Sequence, residues 1–175
     1  SYEDCLGRFA GRDERFAMGE MAKELGIEYD EELFREWSQR KAAAYAQFVS
    51  EHAEPMPGAV DFVATVARAM PVGLATGSRR SDVDSALRVL AGGRLEGLFK
   101  TIVTSDDVPE AKPHPATYAK AVRDLGFEPA DCVALEDSPN GILSAKGAGL
   151  RVIGISAMHG PEKLTDADRV VPDLR

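Results

Sequence analysis

The chain has 175 residues, 44% hydrophobic and 29% charged, with a formal net charge of -8. That apolar content supports a packed core and excludes a disordered chain. The acidic balance, with no basic run interleaved with aromatics, argues against nucleic acid or an anionic membrane surface as partner. No apolar stretch approaches a membrane span and no signal-peptide pattern opens the chain, so a cytoplasmic protein is expected. Cys5 and Cys132 then read as two separate reduced thiols. The first residue is Ser1 and not Met, which suits a chain trimmed or cut from something longer.

Residues 1–55 read as helix throughout. Met18, Met21, Ala22 and Leu25 recur at helical spacing and Gly26 follows as a stop. A second helix opens at Asp30, with Glu31 and Glu32 in its first turn, where negative charge suits the helix dipole. Leu33, Trp37, Ala44 and Phe48 form its expected apolar face. Two prolines and a glycine in EPMPGAV (residues 54–60) break the pattern. After the break, helix and strand alternate. Helix is predicted over residues 58–70, 81–90, 115–126 and 139–149, with Ser81 as N-cap of the second of these. Short apolar strands are predicted at 71–76, 101–105, 132–136 and 151–156, with a last apolar run at 169–174. Strands with little polar alternation, each followed by a helix, are what a parallel sheet covered on both faces requires. The predicted fold is therefore α/β: a Rossmann-like, doubly wound core over residues 56–175 behind a small helical cap over residues 1–55.

In open parallel sheets the chemistry gathers beyond the carboxyl ends of the strands. The strand at 71–76 runs into Thr76-Gly77-Ser78-Arg79, and the next into Thr104-Ser105-Asp106-Asp107, with Lys112 shortly after. The strand at 132–136 ends in adjacent acids, Glu136 and Asp137. Thr76 and Ser78 also suit plain caps, Lys112 a solvated surface residue, and Asp106 and Asp107 loop acids. His114, between two prolines, suits a rigid turn. The carboxylate pair is harder to dismiss, because like charges at a buried strand end raise each other's pKa unless a cation compensates them. Magnesium takes one or two carboxylates, keeps waters and completes its shell with phosphate oxygens. Together, hydroxyls and backbone amides at Thr76, Gly77 and Ser78, the Lys112 ammonium and a metal on Glu136 and Asp137 form a set suited to phosphoryl transfer.

These stretches resemble the haloacid dehalogenase-like hydrolases, in the branch with beta-phosphoglucomutase and small-metabolite phosphatases. GLATGSR is similar to the family's second motif, AKPHPATY to its third and ALEDSPNGILSAKGAG to its fourth. The resemblance implies Thr76 and Lys112 as catalytic and phosphate-binding groups, with Gly77 and Ser78 completing the phosphate cradle. It further implies Glu136 and Asp137 as magnesium ligands, and Arg12, in FAGRDERF, as a substrate contact from a cap loop. The family's first motif, a central strand ending in Asp-x-Asp, is absent from the chain. Relatives carry it ahead of the cap, between the strands that end here at Thr76 and Glu136. A fragment that lacks this strand is therefore expected.

The function so implied is a magnesium-dependent phosphatase, working through an aspartyl-phosphate on a small phosphorylated metabolite such as a sugar phosphate or phosphoglycolate. A sugar-phosphate mutase of the same family is the near alternative. A phosphate-binding module without a nucleophile is the alternative outside enzymology.

Overall fold

A computed structural model describes residues 14–175. Among the described residues two helices come first, α1 (Glu14–Leu25) and α2 (Glu31–His52). Gly26 ends α1 in the left-handed region, at φ +66, where a residue without a Cβ carries little strain. Asp30 caps α2, its carboxylate accepting the Leu33 N–H at 2.8 Å. Four further helices alternate with five strands: α3 (Ala59–Ala69), β1 (Gly73–Ala75), α4 (Arg80–Val89), β2 (Thr101–Val103), α5 (Ala116–Leu125), β3 (Val133–Glu136), α6 (Pro139–Gly147), β4 (Arg151–Ile155) and β5 (Arg169–Val171). All the strand pairs are parallel.

The main core lies where α6 covers β3 and β4 and meets α5, which packs on β1 and β2. Tyr118, Val122, Ile142, Ala145, Val152 and Leu164 meet there, with Ile142, Ala145, Val152 and Leu164 fully buried. Burying an aliphatic side chain of this size stabilises a fold by about 1.5–3 kcal/mol. The strands do not join into one sheet among the described residues. β1 pairs with β2, and β3–β4–β5 form a second sheet. Between them runs an apolar groove of about 630 Å³, walled by β1 on one side and β3 on the other. Val133 and Leu135 of β3 are consequently 48% and 38% exposed.

Three local expectations need correction. The face of α2 turned inward is not that of Ala44 and Phe48. Ala44 is exposed and Phe48 is 58% exposed, whereas Ser38 and Val49 are buried. The reason is polar: Ser38 donates to Glu14 and Lys41 donates to Asp82, so the packed face carries groups that hydrophobic periodicity passes over. In α1, similarly, Met18 and Ala22 are buried while Met21 and Leu25 are exposed. Ser81 is not the N-cap of α4, which begins one residue earlier behind Arg79. The Arg80 N–H is instead taken at 3.0 Å by the Asp106 carboxylate, from the loop after β2. A side chain distant in sequence does the work of a local cap.

That loop is itself pinned by fully buried Thr104. Its hydroxyl and its N–H both donate to Asp107, at 2.7 and 2.8 Å. The Thr104 hydroxyl bond is the main reason the Asp107 carboxyl titrates below its usual range, with Arg80 nearby adding to it. A carboxyl depressed in the fold contributes stability that is full above its ordinary range and fades as the pH falls through the folded value. Thr104→Val, which keeps shape but removes the hydroxyl, is expected to cost about 1 kcal/mol at neutral pH. The deficit should shrink in acid, once the pH has fallen through the lowered Asp107 value and the carboxyl has gained its proton. Urea unfolding of both proteins at the two pH values measures it, and an equal deficit at both would contradict this account.

Candidate active site

The carboxyl ends of β1 and β3 are brought together by one side chain. Lys112 is 7% exposed; its ammonium donates to the Ala75 carbonyl at 3.2 Å and to Glu136 Oε1 at 2.5 Å. The same ammonium lies 4.6 Å from the centre of the Tyr118 ring, whose hydroxyl donates to Glu136 Oε1 at 2.7 Å. The other carboxylate oxygen, Oε2, accepts from the Ser138 hydroxyl at 3.2 Å and more weakly from its N–H at 3.4 Å. The Glu136 carboxylate, 7% exposed, is thus occupied on both oxygens. Burial, reinforced by Glu136, holds the Tyr118 hydroxyl well above its ordinary pKa, so it remains a donor.

Asp137 stands at the next position. Burial first, and Glu136 second, raise its carboxyl above the ordinary range. A pair of adjacent acids, one buried and committed to a lysine and the next exposed, is an environment that favours a bound cation. Among the described residues no group of three or more His, Cys, Asp or Glu side chains converges as a metal site. A site here would therefore rest on one or two carboxylates completed by water and phosphate oxygens, the pattern magnesium accepts.

At the end of β1 the chain turns sharply. The Thr76 hydroxyl accepts the Ser78 N–H at 3.1 Å, and the Ser78 carbonyl accepts the Ser105 N–H at 3.0 Å. Gly77, Arg79, Ser105, Asp106 and Lys112 line a cleft of about 280 Å³, closed on its far side by Glu14, Arg15 and Phe34 from the first two helices. Glu136 and Asp137 border the larger groove instead. Lys112, expected from its residue type to be solvated, is buried between the two. His114 is a turn residue, its Nδ1 accepting the Ala116 N–H at 3.3 Å. Arg12 lies outside the described residues.

Sequence reasoning missed Glu14, Arg79, Tyr118 and Gly141 here. Arg79 donates to Asp106 at 3.0 Å and stands over the Phe34 ring at 5.7 Å. A helical apolar position gave no signal for the Tyr118 hydroxyl, whose partner is 18 residues away. Gly141 sits beneath the Glu136 carboxylate, so close that a Cβ would come within 1.9 Å of Oε2.

A model of the haloacid dehalogenase-like hydrolases matches residues 5–149. The chain belongs to that family. It is 34% identical over 176 residues to validoxylamine A 7'-phosphate phosphatase of Streptomyces hygroscopicus subsp. limoneus, covering 99% of this chain and 79% of that protein. It is 32% identical over 138 residues to hexitol phosphatase B of Escherichia coli, covering 78% and 60%. Among solved structures, CbbY of Rhodobacter sphaeroides in complex with phosphate superposes with a TM-score of 0.85 at 28% identity, covering 99% of this chain and 77% of that one. This haloacid dehalogenase-like chain is an enzyme of a branch that includes named phosphatases, and its α/β, Rossmann-like fold is the one the sequence predicted. No helix of the described residues is long and apolar enough to cross a membrane.

Gly141→Ala tests the packing under the site. Alanine is the better helix former by about 1 kcal/mol, so a merely helical glycine would gain from the change. Here the added methyl must displace a carboxylate held by Lys112, Tyr118 and Ser138, and a net loss of about 1–3 kcal/mol is expected. Gly147→Ala, whose Cβ would meet only Pro115 at 3.4 Å, serves as control and should be near neutral. Chemical denaturation measures both, and a Gly141→Ala protein as stable as the parent would contradict the packing described.

Proposed function

We propose that the protein is a magnesium-dependent phosphatase that releases inorganic phosphate from a small phosphorylated metabolite, a sugar or polyol phosphate. The observation that carries this reading is the Lys112 ammonium, buried where β1 and β3 end and beside the Thr76–Gly77–Ser78 turn. A cation fixed there before substrate arrives can offset charge as it develops on a transferred phosphoryl group, with no reorganisation at the moment of reaction. The names of two relatives, a 7'-phosphate phosphatase and a hexitol phosphatase, support the substrate class.

In this reading the Thr76 and Ser78 hydroxyls and the Gly77 amide hold phosphate oxygens, and Lys112 neutralises them. Asp137 would hold magnesium, with Glu136 as the second acid facing it. Glu136, with both oxygens already accepting hydrogen bonds, also keeps Lys112 in place. Magnesium, when bound, supplies positive charge that orients the phosphate and balances the acids. Thr76 and Ser78 bond to their own turn and have no adjacent base in the hydrogen bonds described, so neither is an activated nucleophile. The groove between β1 and β3 suits an apolar strand ending in Asp-x-Asp, whose first carboxylate would accept the phosphoryl group before water releases it. The exposed apolar side chains of β3 and the strand edges that face the groove without a strand partner among the described residues support that placement.

Asp137→Asn gives the sharpest test. It removes a like charge beside buried Glu136, so the protein should melt no earlier than the parent without metal, yet lose magnesium-dependent phosphate release by at least about a hundredfold. Lys112→Met should cost about as much activity, and about 3–5 kcal/mol of stability besides, because Glu136 is left buried without its cation. Phosphate release by the full-length protein from glucitol 6-phosphate, with and without chelator, measures both. Undiminished turnover in folded Asp137→Asn would reject the metal assignment, and a loss under about threefold in Lys112→Met would remove that lysine from the chemistry.

A further inference from the structure

The cleft contains a buried polar atom with no hydrogen bond from the described residues. Glu14 opens α1 with its side chain 9% exposed and lines the cleft across from Gly77 and Lys112. Its Oε1 accepts from the Ser38 hydroxyl at 3.1 Å, but its buried Oε2 has no hydrogen-bond partner among the described residues. Two cations stand near and are otherwise engaged. Lys41 donates to Asp82 and lies 3.8 Å from Oε1, and Arg79 lies 3.8 Å from Oε2 while donating to Asp106 at 3.0 Å. A buried carboxylate oxygen without a donor is costly, and a ligand that supplies the donor recovers the cost on binding.

We propose that Glu14 sets the specificity of this cleft: its Oε2 accepts a hydrogen bond from a hydroxyl of a polyhydroxylated phosphate monoester, and its charge excludes substrates with a second phosphate at that end. The inference rests on the phosphatase reading for its orientation, the phosphoryl group lying toward Lys112 and Gly77 and the organic end reaching Glu14. A neutral O–H donor fits better than a cation, because the Arg79 guanidinium already supplies positive charge beside Oε2. A second phosphate would bring a dianion against a carboxylate in a partly desolvated cleft, and a repulsive contact of this kind is how a site rejects the wrong partner. At about 280 Å³ the cleft suits one sugar-sized group, so the far end of such a substrate cannot avoid this wall.

Equilibrium binding to the full-length protein, measured by calorimetry without metal so that nothing turns over, decides the matter. The probes are glucitol 6-phosphate, hydroxyl-free hexyl phosphate and fructose 1,6-bisphosphate. The parent should prefer the glucitol ester over hexyl phosphate by about tenfold or more, the scale of one charge-assisted hydrogen bond. Glu14→Ala should reduce that preference to about threefold or less. Glu14→Gln, equal in size and uncharged, should raise affinity for the bisphosphate relative to the monophosphate by about tenfold. It also decides the question if the alanine variant does not fold. No hydroxyl preference in the parent, or both ratios unchanged in the folded variants, would overturn the proposal. Phosphate release from p-nitrophenyl phosphate by the parent with magnesium is read separately. Its absence would reject the phosphatase reading and leave the binding ratios to decide on Glu14.

Discussion

The ammonium of Lys112 and the carboxylate of Glu136 form the contact on which the site depends. Both are almost fully buried, and an ion pair removed from water returns its desolvation cost only when the remaining donors and acceptors are also satisfied. Here they are: Ala75 gives a carbonyl, Tyr118 a hydroxyl and a ring face, and Ser138 a second hydroxyl. The pair also has a mechanical consequence. β1 and β3 share no backbone hydrogen bonds, so Lys112, together with α5 packed on β1 and β2, ties the ends of two separate sheets into one rim. Local sequence serves this contact at each point. Ser138 caps α6 with the hydroxyl that also donates to Glu136, and the missing side chain at position 141 leaves room for the carboxylate.

A second set of charges joins the first two helices to the α/β part. Lys41 donates to Asp82 across the junction, and Arg79, held by Asp106, reaches back to Glu14 at 3.8 Å and to the Phe34 ring at 5.7 Å, while Ser38 fixes Glu14 within the two helices. Polar contacts of this kind add little net stability for the area they cover, but they define one orientation, since a slip leaves buried charges unpaired. The orientation they define turns Glu14, Arg15 and Phe34 toward Gly77 and Lys112. The cleft thus has one wall from each part of the chain. The wall opposite the turn at Thr76 to Ser78 is acidic where Glu14 projects and aromatic where Phe34 does.

Away from the cleft, the groove between the sheets has the opposite character. It is broad and mostly apolar, and it meets the site at Ala75, Tyr118, Glu136 and Asp137. Apolar strand faces left open on this scale are a liability in a folded protein unless something covers them. An arrangement that keeps them next to a pair of acids links the covering of the groove to the assembly of the site.

The helices and strands could be read from the sequence because short-range physics sets them. Strand and helix alternate after residue 54 as the apolar pattern requires, and Gly26 and Asp30 end one helix and start the next by their own backbone and side-chain chemistry. The order of the site segments along the chain, Thr76 to Ser78, then Lys112, then Glu136 and Asp137, was equally visible, because strand ends in a parallel sheet must converge. What stayed hidden depended on partners far away in sequence. Lys112 looks like any lysine until Glu136, 24 residues on, is placed against it. The start of α4 is satisfied by Asp106, 26 residues later, and not by the nearby serine. The inward face of α2 is chosen by Glu14 and Asp82, which periodicity cannot register. Composition and pattern, being local, determined the elements and the stretches that stand at the strand ends. Only the tertiary structure decided which charges are buried together, because the cost of desolvating a charge exists only once its surroundings are in place.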